Sequence, residues 1–305
     1  MPINFNVFGE KTADALDKAF VQKSVTGFMD TNPDNIQFIN ADTVLVGETN
    51  FSGLGDYDRD NGFPIGSISS AKRSYTLTQD RGRAFQIDAI DYDSLDAALK
   101  KGVMDMADWQ DKYVVPEIDA YTLSKLYAFS VSKRTPSNVP LTDGNVYSTL
   151  VAAKDSCMDE SDEEDLVCFI PRWVHSLLNS STEITKMIDV REVNKNGIST
   201  KVGFIDNMEI VPVNAKRMYS AYRSLNGVDD DQYNGGFVVA SGAVPIQYIV
   251  MPKKAATRIT RTKKIRVFQP NDNILKDAYA MQYRRLYDVI CLESKKSSIF
   301  VGFGN

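Results

Sequence analysis

The chain contains one histidine, His175, so any Ser-His-Asp arrangement for acyl transfer would have to use it. It falls in the stretch after Pro171 that reads as a helix, with no nucleophile motif beside it, and is read as a structural histidine. Metal centres built from histidine need several such ligands, which this composition excludes. The three cysteines, Cys157, Cys168 and Cys291, show no short spacing and therefore neither a disulfide framework nor a metal signature. They read as small apolar residues of a reducing compartment. Gly53 and Gly55 are followed by no third glycine and no helix start, so they do not make a phosphate-cradling dinucleotide loop. The densest carboxylate run is Asp155, Asp159, Glu160, Asp162, Glu163, Glu164 and Asp165. Like charges this close repel and read as a solvated loop, without the glycine of a calcium-binding loop. No metal and no cofactor is expected. A carboxylate-dependent hydrolase, with two acids converging in one pocket, is the enzymatic alternative; the chain is expected not to be an enzyme.

One basic run stands out: Lys253, Lys254, Arg258, Arg261, Lys263, Lys264 and Arg266, with no acid between. Ile259, Ile265 and Val267 are spaced evenly through it, as on a strand with one buried and one charged face. Lys263, Lys264 and Arg266 are expected to meet the acids of a neighbouring subunit in preference to DNA phosphates.

The elements that carry these residues are mixed. The 305 residues are about two domains' worth, 43% hydrophobic and 25% charged, which excludes a disordered or fibrous chain. Thirty-five basic and 40 acidic side chains give a net charge of −5, against general nucleic-acid binding by the whole surface. No signal peptide is visible, and the apolar stretch 237–251 is too broken to span a bilayer. Residues 1–42 are polar and Asn-rich around a short amphipathic helix over 11–23, an arm that must lie on something else. TVLVGET (43–49) reads as a strand, 51–70 as a Gly/Asp/Ser-rich tip, and 73–89 as a returning strand interrupted at Asp80–Arg83 by a bulge. A helix starts near Asp93 and runs past Pro116, which should kink or restart it, to Phe129. Beyond a break at 133–144 come a helix over 146–158, a strand over 166–170 and a helix after Pro171. A hairpin follows, turning at Asn194–Gly197, and then strands over 209–213, 237–240, 246–250, 263–268, 287–292 and 298–301. Strands in clusters make the fold class α+β.

This order resembles the tailed-bacteriophage major capsid protein, the Hong Kong 97-type shell fold. The passages that carry the likeness are TLTQDRGRAFQIDAIDYDSLDAALKKG (76–102) and the closing block over 238–301. The resemblance implies an N-terminal arm over 1–42, an extended two-stranded loop over 43–90, and a peripheral domain with a spine helix over 91–132 and 251–305. The axial domain would be 133–250. It implies a subunit that assembles as pentamers and hexamers into an icosahedral head around double-stranded DNA. The partners would be itself, portal and decoration proteins, and DNA held by weak non-specific contact, with no membrane. Its place would be the virion, after synthesis and assembly in the bacterial host cytoplasm. The chain begins almost directly with its arm, so a separate scaffolding protein is expected. An encapsulin-type compartment shell is the alternative of the same architecture. Lys72, Arg73, Arg81 and Arg83 on the loop are expected at an intersubunit contact, the arginines pairing with acids of a neighbour. Some members of the family join subunits by a Lys–Asn isopeptide bond near this loop. Lys72 lies in the corresponding part, but the sequence names no acceptor, so no crosslink is expected.

Overall fold

A computed structural model describes residues 23–30, 36–88, 104–161, 163–181, 188–195, 198–268 and 276–304. The first half holds strands β1 (Ile36–Phe38), β2 (Thr43–Phe51), β3 (Ile68–Thr76) and β4 (Gln79–Asp88), then helices α1 (Val115–Val131) and α2 (Val146–Ser161). β5 (Leu166–Pro171) and α3 (Arg172–Ser180) lead to β6 (Ile188–Lys195), β7 (Ile198–Ile205), β8 (Met208–Val213), β9 (Tyr222–Ser224) and β10 (Phe237–Val239). The chain closes with β11 (Ile246–Pro252), β12 (Ala256–Phe268), β13 (Ala278–Cys291) and β14 (Phe300–Phe303).

Continuous apolar runs place the central strands. LVCFIP and IQYIVMP are buried at every position, as expected of strands covered on both faces. They sit side by side in a six-stranded sheet of order β14-β11-β5-β8-β7-β6, antiparallel except for the β5–β8 pair. Helices α2 and α3 cover one face through Val146, Leu150, Cys157, Val174 and Leu178. The other face meets Leu123 and Leu126 of α1. A second, antiparallel sheet has the order β12-β13-β4, and a third is the ribbon β1-β2-β3.

Helix α1 is the beam between the two larger sheets, packing Val115 and Ile118 on Met281, Tyr283 and Tyr287 at one end. Pro116 does not break it. The preceding turn, Gln110–Val114, is a π-helix, and the Val115 N–H reaches back to the Gln110 carbonyl. The wider turn absorbs the hydrogen bond that a proline cannot donate and the clash its ring would make. The expected start of this helix near Asp93 lies outside the described residues, as do most of the 11–23 helix and the tip of the 194–197 turn.

Two expectations are corrected. The expected interruption at Asp80–Arg83 is absent: β4 pairs with β13 in unbroken register from Gln79↔Tyr287 to Asp88↔Ala278. The break falls instead at Leu77 and Thr78. Leu77, 4% exposed, plugs the base of the ribbon with Val44, Val46, Ile259, Leu286 and Ile290. The ribbon therefore ends at Thr76, and the second half of the expected loop, residues 79–88, is a strand of the sheet built from 251–305. Of the expected arm, residues 23–30 are packed within the chain, with Thr26 at 0% and Met29 at 1% exposure, while 1–22 and 31–35 lie outside the described residues.

Candidate functional site

The ribbon is long because its two strands stay in register from Thr43↔Thr76 to Phe51↔Ile68. Beyond them Ser52 and Ser67 close one more rung, with Ser52 N–H donating to the Ser67 carbonyl at 3.0 Å and Ser67 N–H to Ser52 Oγ at 2.7 Å. The tip is a formed turn. Asp58 and Gly62 exchange backbone hydrogen bonds, Asp58 accepts the Asp60 N–H at 2.8 Å and the Asn61 amide at 2.6 Å, and Gly62 takes φ +82°. These N–H donors hold the Asp58 carboxyl below the ordinary carboxylate range. The same tip leaves Leu54 and Ile65 fully exposed and Phe63 at 85%. Burying side chains of this size is worth about 1.5–3 kcal/mol each, so the tip holds apolar surface that burial would stabilise.

Of the ribbon cations, Lys72 Nζ donates to the Gln37 side-chain oxygen at 3.3 Å, and Arg73 pairs across the strands with Glu48 at 3.3 Å. Arg81 and Arg83 lie on β4 and face the body of their own chain. Arg81 donates to Glu117 Oε1 at 2.6 Å and to the carbonyls of Leu225 and Gly236 at 2.9 and 3.1 Å. Arg83 donates to the Tyr233 carbonyl at 3.1 Å and lies over the Tyr233 ring. Together they clamp the 225–236 loop against the sheet. Gly227, at φ +73°, lets that loop approach: a Cβ there would stand 2.6 Å from Arg83 Nη1.

Beneath the clamp is a cavity of about 580 Å³ with Phe85, Trp109 and Tyr283 packed edge-to-face in its wall. Among its described lining residues Glu117 is the one carboxylate, and it is engaged by Arg81. The second acid that hydrolysis would require is not in the lining. The thiols offer no nucleophile either: all three cysteines are buried, and burial pushes Cys157 and Cys291 up to about 12. His175 sits on α3 beside Asn179, with Nδ1 and the amide nitrogen 3.3 Å apart.

The basic run splits three ways and does not form one charged face. Lys253 pairs with Asp165 at 2.8 Å and Glu209 at 3.0 Å. Arg258 is fully buried. Lys264 and Arg266 are exposed on β12, where Lys264 faces Arg284 across the β12–β13 register, and Lys263 is in register with Arg285. The acidic run also differs from a free solvated loop: Asp155, Glu160 and Glu163 pair with Lys154, Arg134 and Lys295.

Sequence reasoning missed a buried ionic cluster. Asp119, at 0% exposure, accepts from Ser24 Oγ at 2.6 Å, Thr26 Oγ1 at 2.7 Å, the Thr26 N–H at 3.2 Å and Arg217 at 3.1 Å. Arg258 donates to Thr26 Oγ1 at 2.9 Å, while Arg285 pairs with Asp30 and donates to Thr260 at 3.1 Å. Burial, and then the neighbouring Arg285, work against the Arg258 charge. A signal was present: adjacent Arg284 and Arg285 on one strand must point to opposite faces, so one of them enters the packed side.

No family model and no curated protein sequence matches the chain. Solved structures do. The mature capsid of bacteriophage PhiM1 is 12% identical over 87% of this chain and 82% of that one, with TM-score 0.54. The capsid of Cyanophage P-SCSP1u is 14% identical over 88% and 85%, with TM-score 0.55. A virus-like particle from Pyrococcus furiosus is 10% identical over 97% and 99%, with TM-score 0.54. Joined to the ribbon, the beam helix and the two sheets, these likenesses show that the chain is built on the Hong Kong 97-type fold of tailed-bacteriophage capsid proteins.

Proposed function

We propose that the protein is the major shell subunit of a tailed-phage head, assembling as pentamers and hexamers into an icosahedral container for double-stranded DNA. The observation that carries this is the ribbon tip, a preformed turn that leaves Leu54 and Ile65 fully exposed and Phe63, packed on Tyr57 within the same turn, 85% exposed. A sibling subunit supplies the missing surface, and identical head-to-tail contacts of this kind close into rings. In this reading Lys72 and Arg73, on β3 of the ribbon, contact a neighbour, while Arg81 and Arg83 place the 225–236 loop. Portal, scaffolding and decoration proteins are the further partners, and the virion is the destination. No helix among the described residues is long and apolar enough to cross a membrane.

Electron microscopy of the purified full chain, with co-expressed scaffold, tests the reading. Closed shells or rings are expected; persistent monomers under every assembly condition would sink it. The Pyrococcus particle, matched over nearly its whole length, supports a second reading as an encapsulin-type compartment. Nucleic acid inside the particles favours the first reading, and a folded enzyme inside favours the second.

A further inference from the structure

The register of β12 against β13 shifts between Thr260 and Thr262, leaving Arg261 as an extra residue. Such a bulge re-aims a side chain. Arg261, Lys264 and Arg266 thereby line one concavity of about 390 Å³ together with Arg284, Gln282, Leu286 and Ala41. Lys264 stands directly opposite Arg284, a like-charge pair that destabilises a ladder unless an anion lies between. Asp80 neutralises Arg284, with contacts of 2.9 and 2.5 Å. Among the described residues no carboxylate is paired with Lys264 or Arg266, and Arg261 lies over the Phe38 ring at 4.6 Å. Three cations thus converge on an open concavity with no counter-charge paired to Lys264 or Arg266 among the described residues.

The anion is either external or carried by a second copy of the chain. The densest acidic run of a second copy is largely occupied at home: Asp155, Glu160, Glu163 and Asp165 pair with Lys154, Arg134, Lys295 and Lys253. At the ribbon tip Asp58 is held by its own turn. We infer that this concavity binds the phosphodiester backbone of duplex DNA, through Arg261, Lys264 and Arg266. The site rests on the shell reading for its supply of DNA. It also revises the expectation that Lys264 and Arg266 face a neighbouring subunit. Phosphate contacts of this kind carry no sequence information, so the binding is non-specific.

The test is fluorescence anisotropy of a labelled duplex titrated with full-length unassembled protein at several salt concentrations. Three phosphate contacts predict an affinity loss of about 40-fold between roughly 50 and 200 mM salt. The triple variant Arg261→Gln, Lys264→Gln, Arg266→Gln should flatten the salt slope by nearly three, while Lys264→Arg with Arg266→Lys keeps it. An unchanged slope in the triple variant, or labelled poly-glutamate binding tighter than DNA, overturns the inference. Imaging the same samples separates it from the shell reading. Wild-type shells without the salt-dependent binding overturn only the site; binding by subunits that never assemble supports the site and counts against the shell.

Discussion

Residues 23–30 and the ribbon tip at 51–68 both read in sequence as parts of limbs that need outside support, and the structure treats them differently. The arm segment is held by its own chain through Ser24, Thr26 and Asp30, which meet buried Asp119, Arg258 and Arg285. The tip carries apolar side chains of similar size and leaves them in water. Two kinds of contact hold residues 23–30: Met29 and Val25 join the hydrophobic core, and the polar side chains between and beyond them are matched by buried charge and hydrogen bonds, whereas the apolar side chains of the tip are turned outward.

The largest effect that could break this contrast is all-or-none. Deleting 51–70 should abolish shells in electron micrographs while the subunit unfolds at nearly its original urea midpoint, because the tip packs on nothing internal. A deletion that unfolds the subunit but leaves shells intact would reverse the roles assigned to the two limbs. Next is Asp30→Ala. It strips the carboxylate from buried Arg285 and Arg258, and breaking a buried pair in this way costs about 3–5 kcal/mol, read by urea denaturation. A loss below about 1 kcal/mol would mean that water reaches these guanidiniums.

Between these extremes lies the clamp. Arg81→Ala removes hydrogen bonds to Glu117 and two loop carbonyls, and should cost about 2 kcal/mol of stability. It should also speed hydrogen exchange over 225–236. Unchanged exchange there would show that the loop holds itself without the clamp.

The contrast also explains what was legible in the sequence. The buried strands LVCFIP and IQYIVMP and the order of helices could be read because continuous apolar runs and period-3.6 spacing are local signals. The continuous β4 could not, because Asp80-Arg81-Gly82-Arg83 looks like a break when its cross-strand partner β13 lies two hundred residues away. The ribbon tip was legible from its Gly, Asp and Pro content. The ionic cluster was not, since it gathers Asp30, Asp119, Arg217, Arg258 and Arg285 from five separate segments. Arg81 and Arg83 were noticed as cations, but the carbonyls they bind belong to the backbone, whose position no residue type reports.

The smallest effect sharpens the contrast by placing a charge pair in water. The Arg284 hydrogen bonds hold the Asp80 carboxyl below the ordinary carboxylate range. A depressed folded-state value means the pair's contribution is complete above the unfolded value, near pH 4, and is lost as pH falls through the folded value. Arg284 is 63% exposed, so the contribution is under about 1 kcal/mol, unlike the buried Asp30 pairs. Asp80→Asn should therefore change the urea midpoint only slightly at pH 7, and by progressively less as pH falls through the folded-state value. The same substitution removes the carboxylate that neutralises Arg284 at the basic concavity, so it should tighten duplex binding even as it slightly weakens the fold. A midpoint loss as large as that of Asp30→Ala would erase the distinction between the chain's solvated and buried ion pairs.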